Sequence, residues 1–251
     1  MKNYYVPALI AALCFIFISP LQGYPGEEKY NCRYYDAYIS GDMAEWPEWI
    51  RQMERDLEDH HQPGLCYDIV LAHYGYVAYL IGAGKDDAAS DYIDSGEMHL
   101  DALSNFPEYR SGYEAMRGAF IAFKIGLNRS KAVWLGPKSM DHINRAVELD
   151  STNPVAWMEK ANAEYHMPRI FGGSYGKAVE YYQKAVGFFE QHDAGIHCNW
   201  LYINALAWLA RSYEKASMDT RAKLTYLKVL ALEPDFQWVK EDLYPAFQNR
   251  N

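Results

Sequence analysis

Residues 168–186, PRIFGGSYGKAVEYYQKAV, place two adjacent glycines, a serine and a Gly-Lys pair ahead of an apolar run. A phosphate-cradling loop of the P-loop kind needs four residues between its glycines, then Lys and a Ser or Thr, and it is entered from a strand. Here three residues separate Gly172 from Gly176, and two separate Gly173 from Gly176. Lys177 is followed by Ala178, so no hydroxyl is available for a magnesium ion, and the preceding AEYHMP reads as a helix ending at Pro168. The stretch is therefore a turn between helices. Gly172 and Gly173 are expected to supply positive φ, Ser174 to cap the next helix, and Lys177 to be solvated or paired with a nearby carboxylate.

Period 3.6 runs outward from this turn. Ala178, Tyr181, Tyr182, Ala185, Val186 and Phe189 form one helical stripe, with Glu180 and Lys184 as an i,i+4 pair opposite. Ala205, Trp208, Leu209, Ser212 and Ala216 form another. No convincing period-2 strand is found. Turn signals at Gly41-Asp42, Pro63-Gly64, Gly82 to Lys85, Asn105 to Pro107, Asn153-Pro154, Gly172-Gly173 and Glu233-Pro234 divide the chain into helices joined by short connections, which favours antiparallel neighbours.

Lys2, the apolar run Ala8 to Ile18 and then Pro20 have the layout of a secretory signal peptide, with cleavage expected near Gly23. Residues 1–23 are accordingly set apart from a single helical domain over 24–251, placed in the periplasm or outside the cell. No other stretch reads as a membrane span. The acidic excess, 33 Asp and Glu against 24 Lys and Arg, argues against nucleic acid or an anionic membrane as partner. Cys32, Cys66 and Cys198 remain after cleavage; one internal pair at most can form, with Cys32–Cys66 preferred because both lie in the first two helical units. The 39 aromatic residues (22 Tyr, 7 Trp, 10 Phe) read first as filling between helices and second as the lining of a groove.

Three helix ends resemble one another: HLDALSNFPEY (99–109), INRAVELDSTNPVAW (143–157) and YLKVLALEPDFQW (226–238). With Leu209, Ala210 and Tyr213, then Ala222, Tyr226, Val229, Leu230 and Pro234, they resemble the tetratricopeptide repeat, as do Trp157, Ala161, Ala178, Tyr182, Ala185 and Val186 one unit earlier. Trp157 to Ala178 is 21 residues, about five more than that repeat's spacing, and the surplus lies in MPRIFGG. The preceding unit carries an insertion around NRSKAVWLGPKS, and residues 30–105 follow only the helical pattern. The resemblance implies an all-α, right-handed α-solenoid of about five antiparallel helix pairs, closed by a short helix at 236–247 and similar to irregular exported bacterial proteins, including a TRAP-transporter-associated group.

It also implies a concave surface lined by the first helix of each pair. Asn204, Ala207, Arg211, Glu214 and Lys215 should face it from one unit, Val155, Met158, Asn162, Tyr165 and His166 from another, and Tyr76 and Tyr79 from further back. Asn162, Tyr165, His166, Asn204, Arg211, Lys215, Tyr76 and Tyr79 are the candidate binding residues. Asn and Arg there suit a peptide backbone or carboxylate, although Asn162 and Asn204 could equally serve one another or helix ends. The expected function is a non-catalytic scaffold for a protein or peptide partner, the alternative a small-ligand-binding accessory protein of a transporter.

Other clusters carry less. His60-His61 closes a helix and suits its last carbonyls. His192, Asp193, His197 and Cys198 offer metal-ligand types without a second cluster at zinc spacing. Glu45, Glu48, Glu54, Asp56, Glu58 and Asp59 read as a solvated helix face. Asn128-Arg-Ser130 is given no role. No nucleophile, base and orienting group can be assembled, and neither an enzyme nor a cofactor is expected.

Overall fold

The structure, a computed structural model, describes residues 27–191 and 196–250. The expected leader at 1–23, His192 and Asp193 lie outside the described residues. The described residues hold eleven α-helices: α1 Glu27–Ser40, α2 Trp46–His60, α3 Pro63–Gly82, α4 Asp86–Ala102, α5 Arg110–Leu127, α6 Ala132–Leu149, α7 Pro154–His166, α8 Tyr175–Glu190, α9 Trp200–Lys215, α10 Asp219–Leu232 and α11 Tyr244–Gln248. A π-helical turn, Trp238–Leu243, leads into α11. No strand occurs among the described residues.

Local chemistry explains most boundaries. Asn153 accepts from the amides of Val155 and Ala156 at the start of α7, and Asn199 from that of Tyr202 at the start of α9. Ser174 accepts from the Lys177 amide, and Lys177 reaches Glu164 at 3.5 Å, as the turn reading requires. The glycines divide their work differently from expectation. Gly172 adopts φ +101°, but Gly173 does not need positive φ: a Cβ there would sit 1.9 Å from the Met167 carbonyl oxygen, so contact distance demands the glycine. The rings of His60 and His61 lie 3.0 and 3.1 Å from the carbonyls of Asp56 and Leu57, closing α2 as its sequence suggests. The apparent insertion around 128–139 is a short turn at Arg129–Lys131 followed by the first turns of α6, with Pro137 inside the helix.

Helices pack in sequence as α3 with α4, α5 with α6, α7 with α8, and α9 with α10, while α3, α5, α7 and α9 also touch in series. The small residues picked from the repeat pattern, Ala161, Ala178, Ala185, Ala210 and Ala222, are fully buried and let these helices approach. By length and composition α3 could cross a membrane, which the sequence reading missed, but it packs against α2, α4 and α5 and serves as a core helix.

Helix α1 departs from simple stacking. It packs on α2 but also on α9, late in the chain. Tyr35 donates to Glu233 at 2.5 Å, Tyr38 donates to Asn204 at 2.8 Å, and the Tyr38 ring meets Trp200 and Phe236. A disulfide joins Cys32 to Cys198, 166 residues apart, which corrects the expected Cys32–Cys66 pair. Pairing follows the docking of α1 on the C-terminal helices, not nearness in sequence. Cys66 is instead a buried thiol that donates to the His99 carbonyl at 3.3 Å, and burial raises its pKa to about 11.

The contact that draws the early and late helices together is made of rings. Trp46 is fully buried, edge-on to Tyr34 at 4.9 Å and to Trp200 at 5.3 Å, and both indoles cross α3 at Gly75. A Cβ on residue 75 would fall 2.5 Å from Trp46 and 2.8 Å from Trp200. Gly75→Ala should therefore lower unfolding stability by about 1–3 kcal/mol through overpacking, read as a reduced urea midpoint. An unchanged midpoint would mean the indoles are not so placed. Cys32→Ser should cost about 2–5 kcal/mol by the same measurement, because the closed loop is long.

Candidate functional site

The face carried by α3, α5, α7 and α9 is mostly occupied by the protein's own side chains. On α7, Asn162 donates to Glu159 at 3.0 Å and to the Tyr74 hydroxyl at 3.1 Å, and accepts from the Tyr182 hydroxyl. Glu159 is almost wholly buried, which raises its pKa to about 7 against the opposing effect of hydrogen bonds from Tyr74 and Asn162. Asn204 is buried and bonded to Tyr38. Asn162 and Asn204 thus have internal partners, though not each other.

At the C-terminal end of α7 the same face changes character. Tyr165, His166, Arg211 and two residues the sequence reading did not select, Trp208 and Trp238, form one cluster. The spacing of helical turns explains it: Tyr165 and His166 end α7, Trp208 and Arg211 are three apart on α9, and Trp238 begins the π-helical turn. The His166 ring stands edge-on to Trp208 at 5.1 Å and to Tyr165 at 5.0 Å. Among the described residues nothing hydrogen-bonds its ring nitrogens. Surrounding protein, and then the charge of Arg211, pull its pKa to about 4. Solvent reaches part of the ring, which softens the effect but leaves its sign, since both causes disfavour the imidazolium.

The Arg211 guanidinium lies 4.4 Å over the Trp208 ring and 5.9 Å from the rings of Tyr165 and Trp238. No carboxylate pairs with it among the described residues. In so acidic a chain, a half-buried arginine without a counter-ion is unusual. Directly after His166, the turn Arg169–Phe171 holds Ile170 and Phe171 out to solvent, 86 % and 66 % exposed. This is the segment that the expected repeat spacing leaves over. Lys215 is exposed at the end of α9. Tyr76 and Tyr79 stack at 5.8 Å and belong with Tyr92, on α3 and α4; none of their rings touches the α7–α9 cluster.

A third group was missed from sequence. Glu54, on the helix face expected to be solvated, turns inward, and its Oε1 lies 3.3 Å from His73 Nε2 and 3.1 Å from His99 Nε2. Those two hydrogen bonds, from His73 and His99 in that order, lower its pKa to about 2. The one available signal was His73, a lone polarisable group inside the apolar run VLAHYGYVAYL. Its partners lie 19 and 26 residues away, at no motif spacing.

No family model and no curated protein matches the chain. Among solved structures it is similar to the HusA haemophore from Porphyromonas gingivalis, with a TM-score of 0.63 and 18 % identity over 77 % of this chain and 96 % of that one. At that identity the likeness is one of fold.

Glu159 yields a signed prediction. Its folded pKa is raised above the unfolded value, so its contribution to stability is present at low pH and is lost as pH rises through about 7. Glu159→Gln keeps the acceptor for Asn162 and removes the ionisation. At pH 5 thermal unfolding should be little changed; at pH 8 the variant should be more stable, by up to about 3 kcal/mol. A variant less stable than the parent at pH 8 would contradict the burial of this carboxyl.

Proposed function

We propose that the chain is an exported, non-catalytic binding protein, a tetratricopeptide-like α-solenoid that holds a small planar anionic ligand of the haem class against Trp208, between His166 and Arg211. One observation carries this reading: an imidazole with unbonded nitrogens and an arginine without a counter-ion among the described residues share one indole. The three groups divide the recognition of such a ligand. Trp208, half-buried, offers ring surface for stacking. His166, neutral at pH 7, has the lone pair that a ferric or ferrous iron accepts. Arg211 matches a propionate carboxylate in fork geometry. Ile170 and Phe171, exposed on the turn that follows His166, add apolar surface for the macrocycle edge.

The series of contacts from α3 to α9 supports the solenoid, and the likeness of fold to a protein named as a haemophore supports the ligand class. The leader-like residues 1–23 and the Cys32–Cys198 disulfide support export. The reading as a peptide-binding scaffold is weaker, because Asn162 and Asn204, the side chains suited to a peptide backbone, are bonded internally and α1 packs onto α9.

Titration with hemin at pH 7, followed by Soret absorbance, is the test. The protein should bind one equivalent with a shifted band. His166→Ala should abolish the shift, and Arg211→Ala should weaken binding roughly tenfold or more. Free hemin's spectrum in the presence of protein, or both variants binding as tightly as the parent, would refute the reading.

A further inference from the structure

Helices α2, α3 and α4 each contribute one donor atom to a single point, far from Trp208 in sequence and chemistry. Both imidazoles, His73 and His99, address the same carboxylate oxygen of Glu54, and all three ligand atoms lie within 4.8 Å of one another. Bonds of about 2.0–2.1 Å to a tetrahedral zinc ion put ligand atoms roughly 3.3 Å apart. The two His–Glu separations, 3.3 and 3.1 Å, already have that length. His73 is 1 % exposed and His99 is mostly buried, so two of the three donors are fixed in the helical core, while Glu54 is held by both.

A cavity of about 260 Å³ opens beside the cluster, lined by Glu54 and His73 with Asp91, Tyr92 and Ser95. It offers an entry path and room for a water ligand, with an acid and a hydroxyl beside it. Arg51 also borders this cavity, but its charge is taken up by Glu48 at 2.7 Å. Imidazole and carboxylate ligands with an open position suit a borderline cation of the zinc type better than calcium or magnesium, which prefer all-oxygen sites.

We propose that Glu54, His73 and His99 form a binding site for one divalent cation of the zinc class, with a fourth position open to the adjoining cavity. On binding, zinc replaces the two hydrogen bonds to Glu54: each neutral ring shifts its proton from Nε2 to Nδ1, and the ion takes both Nε2 lone pairs and one oxygen of Glu54. This site is independent of the ligand face, so its test uses full-length folded protein without haem.

The experiment is calorimetric titration of chelator-treated protein with Zn²⁺, accompanied by visible absorption with Co²⁺. One equivalent should bind with micromolar or tighter affinity, and Co²⁺ should give the intense visible band of tetrahedral coordination. Glu54→Gln and His99→Gln, each checked for unchanged helical circular dichroism, should each weaken Zn²⁺ binding roughly tenfold or more. His197→Ala, which alters the histidine beside the Cys32–Cys198 disulfide, should leave the affinity unchanged. Absence of binding, or undiminished binding in both Glu54→Gln and His99→Gln, would overturn the proposal.

Discussion

Where α3 passes residue 75, two indoles from distant parts of the chain occupy the space a side chain would need. Trp46 comes from the start of α2 and Trp200 from the start of α9, and they meet edge to face at 5.3 Å. Burying a ring system of this size stabilises by about 4–6 kcal/mol. Trp46 has no acceptor for its Nε1 among the described residues, a cost of about 1–3 kcal/mol. Packing outweighs that loss, which explains why the indole stays inside. Tyr74, one residue before, stacks on Trp200 at 6.2 Å and also joins the Asn162 network. The same few residues therefore tie α2, α3, α7 and α9, and α1 is locked over them by Tyr38 and the Cys32–Cys198 bond.

That closure determines what the face carried by α3, α5, α7 and α9 can do. Its middle is consumed by Tyr74, Glu159, Asn162 and Tyr182, a buried polar set whose members satisfy one another. Toward the end of α7 the face carries His166 and Arg211, which have no hydrogen-bond or carboxylate partner among the described residues. The segment between α7 and α8, which follows His166 in sequence, carries Ile170 and Phe171 into solvent. A lengthened loop next to a rigid helical scaffold is a common place for recognition, because the scaffold fixes geometry while the loop varies. The proposed zinc site obeys the opposite logic: its donors come from helix interiors and are held before any ion arrives.

What the sequence made legible follows from how local the physics is. The turn at 172–174, the Ser174 cap, the carbonyl contacts of His60 and His61, and the buried alanines all depend on residues within a turn or one helix pair, and each was readable. Register also placed His166 and Arg211 on one face, and the structure brings both against Trp208. The docking of α1 was not readable, since it depends on Tyr35 and Tyr38 meeting residues about 170–200 positions later, as did Cys32. Glu54 was misassigned for a related reason. On its own helix it sits among acids and arginines, and only the arrival of α3 and α4 turns it into an interior group. Trp208 was assigned to the packing stripe, and it does pack, against Tyr165, His166 and Trp238, with the Arg211 guanidinium over its ring.

The central claim, that Trp46 and Trp200 close the fold across Gly75, is tested most directly by the proton NMR signals of Gly75. The account predicts α-protons shifted upfield by ring currents, with nuclear Overhauser contacts to both indoles. Gly75 α-protons at ordinary shifts, with contact to neither ring, would contradict it.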